Sequence, residues 1–257
     1  MREQRQRASL HLMSRGAPAS LIKREQSATE VMLQNDIGAA LLSWYEKNGR
    51  SFAWRKNPES YSVLIAEILL KKTNAGVVDR FLPLFLERYP DIYALHREAI
   101  SSLQETLSPL GLSGQRATQL KNLAKVLVES YEGKMPCNRE ELLNLPGVGD
   151  YTAGAILCFA CNKPEPIVDT NVARVITRVY GLRPSRYEAR RSPEVWEKAK
   201  ELVYGHPEQA ARINWALLDL GALVCRPKHP KHNDCPLSEH CVFRKSDTAT
   251  LNNKSVS

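Results

Sequence analysis

The sequence contains no run of apolar residues long enough to cross a bilayer, and no alternation of apolar and polar residues typical of β-strands. It also lacks an internal repeat and the apolar h-region of a secretory signal. These absences exclude a membrane-spanning helix, a secretory signal and a repeat array. The six cysteines match no small disulfide scaffold at a length of 257 residues, which predicts a reducing, cytoplasmic setting.

The chain is basic, and its charge is unevenly distributed. The net charge of +8 favours a polyanionic partner, and 43% hydrophobic residues suffice for one large core or two small ones. Residues 1–26 hold six Lys and Arg against two Asp and Glu. We therefore expect a disordered basic tail over residues 1–28 and a second tail over residues 246–257, and targeting to an organelle by the first tail stays open.

Apolar residues recur at helical spacing through most of the remaining chain, which predicts an all-α protein. Proline and glycine mark the breaks between the helices. The predicted helices span residues 29–47, 61–73, 75–88, 97–107, 114–131, 138–144, 150–161, 170–181, 193–203 and 207–224.

A glycine-rich motif, LPGVGDYT, runs from Leu145 to Thr152 between two of these helices. Asn138 can cap the first helix, and Glu141 completes a capping box. The glycines permit positive φ and leave backbone N–H groups unobstructed at the N-terminus of the second helix, which is a phosphate-binding geometry. An ordinary tight turn between two helices is the alternative.

Two carboxylates are candidates for chemistry. Asp169, in IVDTNVARV, stands where a helix begins, so it is predicted to cap that helix and to remain ionised beside a developing positive charge. Glu67 lies within the apolar run YSVLIAEILL, beside Val63, Leu64 and Leu70. Burial would raise its pKa, so that it could donate a proton or hold a water molecule, although a glutamate at the edge of the core is the alternative.

A polar loop near the C-terminus carries three thiols and one imidazole at short spacings, which predicts a metal site. The candidate ligands are Cys225, His232, Cys235 and Cys241. His229 and His240 are nearby substitutes for the imidazole ligand. A Cys3His set is typical of structural zinc, and unrelated free cysteines are the alternative.

LPGVGDYTAGAIL, IVDTNVARV and the cysteine loop together resemble the helix-hairpin-helix DNA glycosylase superfamily, of the endonuclease III and adenine mismatch glycosylase type, over residues 34–243. The resemblance implies two helical lobes that flank a DNA-binding cleft, with a C-terminal cluster loop. One lobe would comprise residues 29–60 and 165–245, and the other, with the hairpin, residues 61–164.

The resemblance also implies the roles of the catalytic residues. The aspartate that matches Asp169 assists cleavage of the N-glycosidic bond, and bifunctional members carry a lysine where this chain has Tyr151. A phenol forms no imine, so Schiff-base lyase chemistry by that route is excluded. Glu67, residues 71–73 and Tyr151 are similar to the pattern of the thymine/uracil mismatch glycosylases, in which Tyr151 would line the base pocket.

In that superfamily the hairpin grips the DNA backbone. Leu112 matches an apolar residue that wedges into DNA in endonuclease III, and Lys72 matches a wedging glutamine of adenine glycosylases. The implied DNA contacts are Leu145, Gly147, Val148, Gly149, Lys72, Leu112, Gln115 and Arg116. The implied partners are double-stranded DNA with a mismatched base and a downstream abasic-site endonuclease, and we expect a monomer with no membrane partner.

The same resemblance also implies which metal centre the cysteine loop holds and which base the protein removes. All four ligands are cysteine in the related families, so a [4Fe-4S] cluster with His232 as one ligand is expected, and zinc is the alternative. The expected activity is removal of thymine or uracil opposite guanine without strand cleavage. The alternatives are an adenine glycosylase acting opposite 8-oxoguanine, against which the 16 residues after Cys241 argue, and a non-catalytic DNA-binding protein.

Overall fold

The computed structural model describes residues 19–184 and 189–246, and within these residues it contains helices and no strand. The all-α prediction is confirmed. The helices are α1 (Ala19–Asn48), α2 (Ala53–Lys56), α3 (Ser60–Leu70), α4 (Ala75–Arg88), α5 (Ile92–Arg97), α6 (Ile100–Leu107), α7 (Ser113–Tyr131), α8 (Arg139–Leu143), α9 (Asp150–Phe159), α10 (Thr170–Tyr180), α11 (Pro193–Tyr204) and α12 (Ala210–Leu223). Short 3₁₀ turns lie at Ser108–Leu110, Ala189–Arg191, Pro207–Gln209 and His232–Asp234.

The largest differences from the predicted helices concern α1, the end of α3 and two short helices. Helix α1 begins at Ala19, so residues 19–28 are helical where a disordered tail was expected, while residues 1–18 and 247–257 lie outside the described structure. Helix α3 ends at Leu70 rather than at residue 73, because Lys71 is extended and Lys72 has a φ of 58°. The two short helices α2 and α5 were missed, since four and six residues are too few to show a period.

The helices pack in two groups. Helix α3 packs against α4 and α9, and α7 packs against α5 and α6, while α1, α10 and α11 pack around α12. Helix α9 also contacts α12, and the buried apolar side chains of both groups form one cluster. This packing is compatible with the predicted lobes, whose boundaries stay a prediction. No helix of the described residues is long and apolar enough to span a membrane.

Two glycines allow α12 and α9 to approach closely the first turn of α10 and the segment before it, respectively. A Cβ on Gly221 of α12 would lie 2.7 Å from Asn171 Cβ, and a Cβ on Gly154 of α9 would lie 2.9 Å from the carbonyl oxygen of Pro166. Either added carbon would push the segment away. Its two helical neighbours therefore fix where α10 begins.

Asn214, a buried residue of α12, binds the same segment through its side-chain amide. Its Oδ1 accepts from the Ile167 N–H at 3.0 Å, and its Nδ2 donates to the Glu165 carbonyl at 2.8 Å. Buried amides that satisfy backbone groups in this way hold an extended segment that has no strand partner. Asp169 follows this segment directly.

A disulfide bond joins Cys137 to Cys161, with Cα atoms 5.8 Å apart. Cys161 lies beyond the end of α9 at Phe159, and not within the helix predicted over residues 150–161. The bond does not agree with the reducing setting that the cysteine count predicted, since two cysteines 24 positions apart in the sequence are joined. The cytoplasmic location stays a prediction, and the cysteines no longer support it.

Candidate active site

The three predicted catalytic residues meet in one cleft. Glu67 from α3, Tyr151 from the first turn of α9 and Asp169 from the start of α10 all line it, and its volume is about 1090 Å³. The residues are far apart in the sequence, so only the packing of α3, α9 and α10 brings them together. Lys72 and Gly149 lie on the wall of the same cleft.

The carboxyl group of Glu67 is almost completely buried, at 5% exposure. Burial raises its pKa from the ordinary 4.5 to about 7, and the charge of Asp169 adds to this effect while those of Arg55 and Lys71 oppose it. The hydroxyl of Tyr151 also opposes the rise in the pKa of Glu67. Near neutral pH, Glu67 is therefore present both as an acid that can donate a proton and as a base.

Tyr151 remains a neutral phenol. Burial raises its pKa well above the ordinary 10, and the neighbouring charges of Glu67 and Asp169 raise it further, although Arg55 opposes them. Its side chain lines the same cleft as Glu67. The side chain supplies a hydrogen bond and an aromatic face, and no amine.

Asp169 is held by donors on both of its oxygens. Its Oδ1 accepts from the Val172 N–H at 2.7 Å, which confirms the predicted N-cap, and its Oδ2 accepts from Asn171 Nδ2 at 2.9 Å. Arg174 donates to Asn171 Oδ1 at 2.8 Å and to the Cys225 carbonyl at 2.7 Å. These donors fix the orientation of the Asp169 carboxylate at the N-terminus of α10.

A buried ion group that was not predicted from the sequence lies beside Glu67. Asp219 of α12 is fully buried and accepts from Arg55 Nη1 at 2.9 Å and Nη2 at 3.1 Å. It also accepts from the Arg50 N–H at 2.7 Å and Nε at 2.8 Å. Asp219 stands in the apolar run INWALLDLGAL, the same signal that identified Glu67, so the residue could have been found in that way.

Aromatic rings form another part of the cleft wall. The rings of Phe52 and Trp54 stack with centroids 4.6 Å apart, and those of Phe159 and Trp215 are 4.9 Å apart. The guanidinium of Arg55 lies 4.9 Å from the Phe52 centroid and 5.6 Å from that of Trp215. Such flat, desolvated surfaces suit a planar heterocyclic ligand.

The hairpin between α8 and α9 has the predicted turn at Gly147, with a φ of 75°. A Cβ there would lie 2.3 Å from Gln119 Nε2. The Gly147 carbonyl accepts from Lys71 Nζ at 2.8 Å and from Gln119 at 3.3 Å. The hairpin is thus tied both to the end of α3 and to α7.

Of the other predicted hairpin residues, two are buried in the protein and one lies beside open space. Leu145 and Val148 are buried, and the Val148 N–H donates to the Leu145 carbonyl at 3.1 Å, so this amide closes the turn. Gly149 has a φ of −109° and does not use the positive φ that glycine permits, and a Cβ there would meet nothing within 4 Å. Open space therefore lies beside Gly149, immediately before α9.

The predicted DNA contacts outside the hairpin differ in their exposure to solvent. Lys72, Leu112 and Gln115 are exposed. Arg116 is only 4% exposed, and both terminal nitrogens of its guanidinium donate to oxygens of the protein. This contradicts the prediction that Arg116 contacts DNA directly.

The four predicted metal ligands line one small cavity, and His232 rather than His229 or His240 contributes to its wall. Burial raises the pKa of Cys235 to about 11, and the neighbouring thiols of Cys225 and Cys241 raise it further. The shared cavity and the soft donors fit a thiophilic metal centre. However, within residues 19–184 and 189–246 no three His, Cys, Asp or Glu side chains are arranged to hold an ion.

Comparisons with known proteins agree with this geometry. Residues 65–201 match the HhH-GPD superfamily of base excision DNA repair proteins. The chain is 40% identical over 206 residues to the thymine/uracil-DNA glycosylase of Pyrobaculum aerophilum, covering 79% of this chain and 90% of that protein. It is 36% identical over 208 residues to the thymine-DNA glycosylase of Aeropyrum pernix, covering 80% of this chain and 93% of that protein.

Solved structures show the same fold. The structure of a thermostable thymine-DNA glycosylase has a TM-score of 0.77 and 34% identity, and the match covers 83% of this chain and 97% of that one. A non-covalent endonuclease III–DNA complex has a TM-score of 0.69 at 23% identity, with 84% and 98% covered. The adenine DNA glycosylase of Buchnera aphidicola subsp. Schizaphis graminum is 32% identical over 206 residues, but the match covers 58% of that protein and 80% of this chain.

Proposed function

The chain belongs to the HhH-GPD superfamily of base excision DNA repair proteins, and we propose that it is a DNA glycosylase that removes thymine or uracil mispaired with guanine. The observation that carries the proposal is the convergence of Glu67, Tyr151 and Asp169 in one cleft with aromatic walls. The thymine and thymine/uracil glycosylases among its relatives, matched over at least 90% of their length, support the choice of base.

Asp169 acts on the sugar side of the bond that breaks. As the glycosidic bond lengthens, positive charge develops on the deoxyribose, and a charged carboxylate held by two donors stabilises it without having to reorient. Glu67 acts on the base side, where its acid form donates a proton to the departing pyrimidine. Tyr151 lines the same cleft and would stack on or hydrogen-bond to the extruded pyrimidine.

A water molecule then adds to C1′ of the deoxyribose cation and loses a proton, so the reaction ends at an intact abasic strand. Attack on the sugar to form a Schiff base requires an amine, and Tyr151 provides a neutral phenol at the position that the lyases give to lysine. A separate abasic-site endonuclease would cut the strand. We propose that the enzyme acts as a monomer in the cytoplasm, where it meets the DNA.

The target base is turned out of the helix into the cleft, and a mispaired base costs less to extrude than a paired one. The hairpin supplies the backbone contact, at the N-terminus of α9 beside Gly149. Lys72, Leu112 and Gln115 would contact the DNA at the exposed turns. Loss of affinity at high salt is the expected signature of the phosphate contacts.

Cys225, His232, Cys235 and Cys241 would hold a [4Fe-4S] cluster, with zinc as the alternative, because the four side chains line one cavity. The cluster would brace the basic loop and take no part in the chemistry. Arg174 connects this loop to Asn171, which binds Asp169, so the order of the loop bears on the position of Asp169.

A second candidate is adenine removal opposite 8-oxoguanine, which the similarity to adenine DNA glycosylases favours. One gel assay separates the two candidates. The purified protein is incubated with duplexes containing G:T, G:U or A opposite 8-oxoguanine, with and without hot alkali. We expect alkali-dependent cleavage of the G:T and G:U duplexes and none of the third, and adenine release with no pyrimidine release would overturn the proposal.

A further inference from the structure

Arg116 joins two turns of the chain through one buried guanidinium. Nη1 donates to two oxygens of the turn before α7, and Nη2 donates to three oxygens at the end of α3 and just beyond it. The acceptors are the carbonyl oxygens of Leu69, Lys71, Leu110 and Gly111 and the hydroxyl of Thr73, at 2.6–3.3 Å. The two turns are about 40 residues apart in the sequence and have this side chain between them.

Each of these turns carries one exposed residue in the left-handed region. Lys72 has a φ of 58° and Leu112 a φ of 53°. Residues with a Cβ adopt this conformation only where the surrounding structure holds them in it. Four of the five oxygens belong to the two neighbours of Lys72 in the sequence and to the two residues before Leu112. The guanidinium therefore holds the backbone of both turns from the buried side.

The placement of these two residues suits contact with DNA rather than packing within the protein. Lys72 lines the cleft that contains Glu67 and Asp169. Leu112 is 46% exposed, although an apolar side chain of its size is normally buried. Lys72 is a cation on the cleft wall, which suits a phosphate, and Leu112 is an exposed apolar side chain on the turn that Arg116 joins to it, which suits a gap in stacked bases.

An arginine fits this position because of its shape. The guanidinium is planar and offers donors in two directions, so it can bind both turns at once, whereas the ammonium of a lysine reaches one. It also satisfies carbonyl groups at the C-terminus of α3 that no later turn of the helix can satisfy.

We propose that Arg116 is a positioning residue that holds Lys72 and Leu112 as a pair, and that this pair enters the DNA beside the target base and keeps the base extruded. The proposal rests on the proposed function, since it needs a base to be extruded. Arg116 contacts neither the DNA nor the reacting atoms, and its effect on excision passes through the two turns. Its loss therefore slows extrusion more than bond cleavage.

The test compares Arg116→Lys and Arg116→Met with the unaltered protein in single-turnover excision. One duplex has uracil opposite guanine, and the other has uracil opposite a spacer that lacks a base, so that no pair has to be broken. We expect both variants to lose at least tenfold in rate on the paired uracil, Arg116→Met more than Arg116→Lys. The loss should be less than threefold on the unpaired uracil.

Lys121→Met is the matched control. Lys121 lies on the same helix and its ammonium donates to the carbonyl oxygens of His96 and Glu98, so it has a comparable structural task away from the two turns. We expect this variant to lose melting temperature as the Arg116 variants do, and to keep its excision rate on both duplexes. Equal losses on the two duplexes, or a loss that simply follows the melting temperature in all three variants, would overturn the proposal.

A binding measurement separates this proposal from the proposed function. In an Asp169→Asn background, a G:T duplex with 2-aminopurine beside the thymine should become fluorescent on binding, and Arg116→Lys should reduce that rise at least threefold. If the unaltered protein releases no base from any duplex while the fluorescence still depends on Arg116, the proposed function fails and the positioning role stands. A rise that is unchanged in Arg116→Lys overturns the positioning role alone.

Discussion

Replacing Glu67 by glutamine should make the protein more stable and less active, and the gain in stability should depend on pH. Burial raises the pKa of Glu67 from 4.5 to about 7. Between these values the folded protein binds more protons than the unfolded chain, so the stability contributed by this group falls as the pH rises through that window. At about 1.4 kcal/mol for each pH unit, the loss amounts to about 3 kcal/mol above pH 7.

Glutamine keeps the shape of the side chain, but it never ionises. Glu67→Gln should therefore match the unaltered protein in stability at pH 4 and exceed it by about 3 kcal/mol at pH 8, or roughly 6–12 °C in melting temperature. Urea and thermal unfolding at the two pH values measure this difference. Glu105→Gln, at an exposed glutamate, is the matched control and should show no comparable gain.

The same substitution should slow excision by about 100-fold or more, the usual contribution of a general acid. Excision by the unaltered protein should also fall as the pH rises through 7, because the acid form of Glu67 is then lost. A Glu67→Gln variant that is no more stable at pH 8 than at pH 4, relative to the unaltered protein, would refute the account of its burial. Retention of excision within threefold at pH 6 would refute its catalytic role.

Four further predictions concern other parts of the molecule. Asp169→Asn should lower the excision rate about 100- to 1000-fold while mismatch binding survives, and near-normal excision would reduce Asp169 to a helix cap. Tyr151→Lys should give a covalent enzyme–DNA complex on borohydride treatment, which the unaltered protein does not form, and the absence of trapping would show that the new amine does not reach the sugar. His232→Cys should keep or increase bound iron and the absorbance of a cluster purified with the protein, whereas loss of iron would show that His232 is not a ligand. Cys137→Ser should lower the free energy of unfolding by about 3–4 kcal/mol by opening the Cys137–Cys161 link, and an unchanged stability in a dithiol reductant would contradict this.

The sequence by itself determined the helical class and the central part of the site. Helical periodicity is a local property, so most of the longer helices were predicted. The boundaries failed where helices were short, where Lys72 left the helical region and at the start of α1, whose first ten residues were expected to be a disordered tail. Glu67 and Asp169 were predicted because each is a carboxylate in an unusual local setting, one within an apolar run and one at the start of a helix.

Only the tertiary structure decided which distant residues meet. The pairing of Arg55 with Asp219 spans 164 positions, and nothing in the neighbourhood of either residue specifies the other. The disulfide between Cys137 and Cys161 depends in the same way on how the chain returns. Arg116 was expected to bind DNA because of the family resemblance, and the structure instead turns it inward, where carbonyl groups at the end of α3 need a donor. Local sequence patterns indicate which chemistry a side chain can perform. The packing of distant segments determines which partner that side chain contacts.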